Sequence, residues 1–156
     1  MAHVQLDSLD YRILRTLSEN ARKPYLEIAR ECGVSGAAIH QRIQKLTSLG
    51  VIAGTQSLIK PSTVGFDTCA YIGFYLNDPS EVEQLIKKLK EIPEVVECNI
   101  TTGKYDLLIK VFAKNNDHLL QIIHSKISKL ASMRTETLIS FKEVFKRQIP
   151  IQPEEE

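Results

Sequence analysis

Between residues 35 and 45 the chain sets Ser35, Ala37, Ala38, His40, Gln41 and Lys45 around a stripe of large aliphatic residues, and Gln44 joins them. The chemistry on offer is hydrogen bonding and positive charge. A glutamine amide both donates and accepts, so Gln41 and Gln44 suit the donor–acceptor pair of an adenine edge, and Lys45 suits guanine or a phosphate. Ala37 and Ala38 permit a close approach to a groove, where their methyls can touch thymine. Ser35, together with the helix start that follows it, suits a phosphate oxygen. Any solvent-facing helix carries Gln and Lys, so the alternative is a small helical domain in which this segment only packs.

A second set lies in "TTGKYD", residues 101–106. Gly103 can adopt a positive φ and let a ligand approach the backbone. Thr101 and Thr102 offer hydroxyls, and Asp106 can pair with an ammonium group. That set complements a zwitterion such as a free amino acid. The alternative is an ordinary hairpin turn in which Asp106 bonds to local backbone.

Catalytic arrangements are missing from the sequence. His3, His40, His118 and His124 show no metal-ligand spacing with cysteine or carboxylate. His118 and His124 are six residues apart, which puts them on different faces of a helix. No GxSxG, phosphate-cradling glycine loop or CxxC occurs. An enzyme, a metal and a cofactor are therefore not expected. The odd, widely spaced Cys32, Cys69 and Cys98 suit reduced, buried thiols in the cytoplasm better than a disulfide framework.

The elements that must position these residues follow from apolar spacing. In "LDSLDYRILRTLSEN", Leu9, Ile13 and Leu17 repeat every four residues. Asp7 is placed to cap the start, Asp10 adds a favourable first-turn charge, and Asn20 closes the segment. "PYLEIAREC" predicts a second helix that Gly33 ends. Ser35 caps a third, which carries Ile39, Ile43, Leu46 and Leu49 and stops at Gly50. Three helices in about forty residues, the last two joined by "GVS", make a helix–turn–helix. One common use of that unit places its second helix in the major groove of DNA.

After Gly50 the period changes. "VIAGTQSLIK" reads as extended, with Gly54 able to turn it back, and Pro61 and Gly65 punctuate a linker. From Phe66 two strand–helix–strand units follow. Ala70, Ile72, Phe74 and Leu76 alternate on one strand face, Val82, Leu85, Ile86 and Leu89 line a helix, and Val96, Cys98, Ile100 and Thr102 make the returning strand. "YDLLIKVFA", "DHLLQIIHSKISKL" (with Leu119, Ile123, Ile127 and Leu130 inward) and "TETLISFKEVF" repeat the order. Two such units predict four antiparallel strands with both helices on one face. The first strand is apolar on its other face too, through Cys69, Tyr71 and Tyr75, and the last shows Ile139, Phe141 and Phe145 on one face and Leu138 and Val144 on the other. A face that helices cannot cover and that is not polar predicts a two-fold partner of the same chain.

Composition agrees with this division. Hydrophobic residues at 43% and charged residues at 25% describe a globular chain, without signal peptide or transmembrane stretch, so no membrane partner is expected. Net charge is +1, but residues 1–65 hold eight Lys/Arg against five Asp/Glu, whereas residues 66–156 hold twelve against fourteen. The excess of base sits where a polyanion would be bound.

At this point the sequence resembles a known family. "LDSLDYRILRTLSENAR", followed by "EIARECGVSGAAIHQRIQKLTSLGVIAGTQSLI" and "TTGKYDLLIKV", is similar to the leucine-responsive regulatory protein/asparagine-regulator (Lrp/AsnC) transcription factors of prokaryotes over nearly the whole chain. The resemblance implies an α+β chain in which an N-terminal winged helix–turn–helix (1–52) is joined by an extended hinge (53–65) to a ferredoxin-like βαββαβ regulatory domain (66–150). An acidic tail (151–156) follows. It implies sequence-specific binding of double-stranded DNA through Ser35, Ala37, Ala38, His40, Gln41, Arg42 and Lys45. It also implies a small-molecule effector, usually an amino acid, held by Thr101, Thr102, Gly103 and Asp106, with Thr135, Glu136 and Thr137 contributed from a neighbour. A homodimer assembling to an octamer is the implied quaternary state. Arg42 remains open between phosphate contact and an internal salt bridge to Asp10. Pro24 departs from the small hydroxyl residue common before the second helix in the family. The rival reading is a DNA-independent, amino-acid-sensing ferredoxin-like oligomer.

Overall fold

The computed structural model describes residues 4–131 and 133–152, so the end of the expected acidic tail, 153–156, lies outside the described residues. The chain divides into two compact units, Met1–Leu58 with Lys146–Glu156, and Ile59–Phe145.

The first unit holds three helices, α1 (Ser8–Glu19), α2 (Tyr25–Cys32) and α3 (Gly36–Ser48). Asp7 and Asp10 form a reciprocal capping box at the start of α1, each carboxylate accepting from the other's backbone N–H. Ile13, Ile28, Ala29, Ile39 and Leu46 are buried at the junction of the helices, with Leu9, Leu17 and Ile43 packed around them. Burial of such aliphatic side chains stabilises a small unit by roughly 1.5–3 kcal/mol each. The expected wing differs in detail: residues 53–60 form no ladder among the described residues, and Gly54 does not take the positive φ that a tight hairpin would use.

The described residues from Lys146 to Gln152 cluster with the first unit. Arg15 Nη2 donates to the Ile151 carbonyl at 3.4 Å, a contact that sequence periodicity could not announce.

The second unit contains β1 (Thr68–Leu76), α4 (Val82–Lys90), β2 (Val95–Ile100), β3 (Leu107–Ala113), α5 (Asn116–Gln121) and β4 (Met133–Ser140). The strands form one antiparallel sheet in the order β2-β3-β1-β4. Ala70, Ile72 and Phe74 of β1 and Leu107, Ile109, Val111 and Ala113 of β3 are buried with Leu85, Leu89, Leu119, Ile122 and Ile127 from the helices. Alternation along the strands leaves the other face without helices.

Two expectations are corrected here. The fifth helix continues as a π-helix over Ile122–Ile127, closed by the Ser128 N–H on the Ile123 carbonyl. The wider turn lets Ile122 and Ile127, five residues apart, both become buried, while Ile123 is half-buried. The last strand ends at Ser140, the partner of Cys69, because β1 begins only one residue earlier and the ladder has nothing further to pair with. Phe141, Val144 and Phe145, expected on that strand, lie beyond it, and Phe141 is 99% exposed.

Candidate DNA interface and effector turn

The tight connection between α2 and α3 is built by its caps. Gly33 takes φ 70°, and its N–H donates to the carbonyls of Ala29 and Arg30, ending α2. Ser35 Oγ accepts from the Ala38 N–H at 3.1 Å and starts α3. The hydroxyl hydrogen of Ser35 is not used by this cap, so it remains available for a phosphate oxygen. Pro24, which lacks a side-chain acceptor, stands at the N-cap of α2 with extended backbone. That departure leaves the helix intact because a proline's missing N–H is one of the unsatisfied groups at a helix start.

The structure places Ala37, His40, Gln41, Gln44, Lys45 and Ser48 on the exposed side of α3, with Ala38 half-buried beside them. Arg42 is elsewhere. Its Nη1 pairs with the carboxylate of Asp7 and with Asp10 Oδ1 at 3.1 Å, tying α3 to α1. Asp10 is 1% exposed, so this guanidinium neutralises a buried charge, and the internal pairing left open in the sequence holds. The Asp10 backbone N–H and the Arg42 guanidinium hold the Asp7 carboxyl below the usual carboxylate range. The hydrogen bonds that Arg42 donates to both aspartates hold its own proton in turn.

One residue escaped the sequence reading. Tyr25, the first residue of α2, meets His40 edge-on with ring centroids 6.0 Å apart. With Ile43, Gln44, Thr47 and Ser48 these two rings line a groove of about 400 Å³ along α3. The only advance signal was an aromatic directly after Pro24, at a position that the helix start leaves in water.

In the second unit, Gly103 takes φ 98°, and no atom lies within 4 Å of where its Cβ would be. Thr101 Oγ1 donates to the Tyr105 carbonyl at 2.6 Å, and the Thr101 N–H to the Asp106 carbonyl at 3.1 Å. Asp106 fixes the turn to β1: its carboxylate accepts the Leu76 N–H at 2.8 Å, and its own N–H donates to the Phe74 carbonyl at 2.9 Å. Asp106 and Thr101 also line a cleft of about 190 Å³ with Leu76, Pro79, Val82 and Ile100. Thr102 and Gly103 are exposed at the tip.

The β4 residues divide by strand parity. Thr135 and Thr137 pair with Phe74 and Ile72 and share their helix-covered face, half-buried. Glu136 pairs with Gly73 on the open face, where it accepts from Lys104 Nζ at 2.7 Å and from the Tyr75 hydroxyl at 3.0 Å. Because β1 lies between β3 and β4, the chain by itself does not bring Thr135 and Thr137 to the 101–106 turn. On the same open face, Lys110 is 6% exposed between the rings of Tyr71 and Phe112, 5.7 and 5.4 Å from its Nζ, and pairs with Glu143 at 3.3 Å.

Among the described residues no group of three His, Cys, Asp or Glu side chains is arranged to hold a metal ion, and no helix is long and apolar enough to cross a membrane.

Comparison with known proteins places both units. Residues 6–47 match the AsnC-type helix-turn-helix domain, and residues 69–150 match the Lrp/AsnC ligand binding domain. The regulatory protein AsnC of Haemophilus influenzae is 40% identical over 145 residues, 92% of this chain and 97% of the relative. The structure of AsnC from Escherichia coli superposes with a TM-score of 0.88 at 35% identity, covering 94% of this chain and 99% of that one. A feast or famine regulatory protein from M. tuberculosis complexed with L-methionine has a TM-score of 0.89 at 26% identity, covering 95% and 100%.

Proposed function

We propose, for a chain that belongs to the Lrp/AsnC family of transcriptional regulators, a division of labour between its two units. The protein is a DNA-binding transcriptional regulator and not an enzyme. In our reading the exposed side of α3 enters the major groove. Gln41 and Lys45 read base edges, His40 and Gln44 flank them, Ala37 and Ala38 approach closely, and Ser35 holds a phosphate. Arg42 organises the domain and leaves the backbone contacts to others. The observation that carries this reading is the segregation on one helix, with amide and ammonium groups outward and the guanidinium consumed inward.

The second unit senses a small molecule, an amino acid, at the 101–106 turn. Support comes from the exposed backbone at Gly103, the adjoining cleft lined by Thr101 and Asp106, and the L-methionine held by the M. tuberculosis relative. Thr135 and Thr137 complete the site from a neighbouring subunit. The open sheet face, with Tyr71, Tyr75, Phe112 and Leu138, is covered by a second copy in a dimer, and dimers assemble further to the octamer. A regulator acting on chromosomal DNA works in the cytoplasm.

The test is selection of a binding site from random duplexes, followed by titration of that duplex at several salt concentrations. A positive result is a roughly palindromic site with strong salt dependence, because phosphate contacts release counterions. A protein that amino acids bind but no duplex retains at low salt would be the DNA-independent sensor instead.

A further inference from the structure

We infer that Lys104, Tyr105 and Glu136 form a strap that holds the 101–106 turn in the shape its ligand requires, with Glu136 acting as a positioning residue and not as a ligand contact. The inference rests on the reading of that turn as the effector site.

The strap crosses the open face of the sheet. The Tyr105 ring lies against Gly73 in the middle of β1, where an added Cβ would overlap three of its ring atoms. Gly73 has no positive φ, so glycine is present for space and not for backbone freedom. A glycine inside a paired strand weakens it, and such positions mark the close approach of another group. Glu136, the register partner of Gly73 on β4, stands beside that gap. Its carboxylate accepts from Lys104 Nζ at 2.7 Å and from the Tyr75 hydroxyl at 3.0 Å.

Aromatic contacts close the network. The Lys104 ammonium lies 5.2 Å from the Tyr105 centroid, and Tyr75 meets Tyr105 edge-on at 5.3 Å. The Arg134 guanidinium stacks 4.2 Å from the Tyr75 centroid. The neighbouring Glu136 carboxylate keeps Lys104 firmly protonated, and Lys104 holds Glu136 ionised. The turn is thus anchored on both sides of β1: through the Asp106 carboxylate and N–H to β1 backbone, and through Lys104 and Tyr105 over Gly73 to β4.

Preorganisation gives this anchoring a function. A turn centred on a glycine is conformationally permissive, and a ligand that had to order it would lose affinity to that entropy. Immobilising Lys104 and Tyr105 beforehand removes part of the cost. In the single chain the pair is exposed, Lys104 at 60% and Glu136 at 38%, and an ion pair of that exposure contributes little to the stability of the fold. Loss of the strap therefore reads out in local order and ligand affinity, not in the melting temperature.

The experiment compares the full-length wild type with Lys104→Met, Glu136→Gln and the charge-swapped double variant Lys104→Glu/Glu136→Lys. Each of the twenty common L-amino acids is titrated calorimetrically, and amide exchange is followed over residues 101–106. The single variants should weaken the binding amino acid about tenfold, within the range of ordinary site-to-site coupling. They should speed exchange at Lys104 and Tyr105 and keep the wild-type melting temperature, and the swap should restore affinity. Gly73→Ala should reproduce the defect by displacing Tyr105. If it does not fold, the Lys104→Met result decides. Wild-type affinity and exchange in both single variants overturn the strap and leave the effector reading standing. A Glu136→Gln defect that the swap does not rescue makes Glu136 a direct contact and overturns the positioning role. A wild type that binds none of the twenty overturns both readings.

Discussion

Arg42 on α3 donates to the buried Asp10 on α1 at 3.1 Å, so α3, the helix we propose for the DNA groove, is anchored to α1 by a charge pair. Removing the guanidinium leaves a buried carboxylate without its cation. Arg42→Met should therefore destabilise the first unit by about 1–3 kcal/mol, less than for a fully buried pair because Arg42 is itself 32% exposed. Urea denaturation followed by helical circular dichroism measures this. A shift below about 0.5 kcal/mol would show that the pair carries no structural weight.

Asp7, which shares the Arg42 guanidinium, gives the first unit a pH dependence. The Asp7 carboxyl is held below its ordinary value of 3.8 by the Asp10 N–H and by Arg42, so its folded pKa lies under its unfolded one. Its contribution to stability is then complete above the unfolded pKa and is lost as pH falls through the folded pKa. Acid unfolding of wild type and Asp7→Asn, compared between pH 5 and pH 2, should converge at the acid end. Parallel curves across that range would contradict the linkage.

On the exposed side of α3, Gln41→Ala should weaken binding to the selected duplex by about 1–3 kcal/mol and relax base preference at one position of each half-site. Lys45→Ala should likewise weaken binding to the selected duplex and relax preference for guanine at its position, and the lost cation should also flatten the salt dependence. Fluorescence anisotropy over a salt series distinguishes these outcomes. Unchanged affinity in both variants would remove this face from the interface.

On the open sheet face, Leu138 stands opposite Tyr71 and is 48% exposed in the single chain. Leu138→Asp would bury a charge against the second copy and should split the dimer, whereas Lys110 is too close to Tyr71 for an aspartate there to remain unpaired. Sedimentation velocity gives the answer directly, and a variant that sediments as the wild-type assembly would mean that this face is not the interface.

At the effector turn, Gly103→Ala should cost about 1 kcal/mol because an L side chain is strained at φ 98°, and it should abolish the amino-acid response while DNA binding persists. Asp106→Ala should cost about 0.5–1.5 kcal/mol through the lost hydrogen bond to the Leu76 N–H. Melting curves with and without the bound amino acid separate the two effects. A Gly103→Ala protein that still shifts its melting temperature on ligand addition would move the site elsewhere.

Much of this molecule was legible before any coordinates. Asp7 and Ser35 cap the helices for which their types and positions marked them, and Gly33 ends α2 with the left-handed backbone assigned to it. The alternation of Ala70, Ile72 and Phe74 found the buried face of β1. These features depend on interactions within a few residues, or on a period that solvent imposes along one element, and both are written in the order of the side chains.

What the sequence did not determine is what depends on partners distant in the chain. Whether Arg42 meets phosphate or Asp10 was undecidable locally, because the choice is made by packing α3 against a helix thirty residues away. The last strand was read through Phe145, but a strand persists only while a neighbour supplies hydrogen-bond partners, and beyond the Cys69–Ser140 pair β1 has only Thr68 left to offer. The resemblance implied Thr135, Glu136 and Thr137 together, and the sheet shows Glu136 on the opposite face from the two threonines. Only the folded chain shows Tyr105 filling the space that the missing side chain of Gly73 leaves. Local propensity and periodicity decide which elements form. The pairing of elements, through register, charge burial and steric fit, decides which of their side chains are consumed inside and which remain to bind.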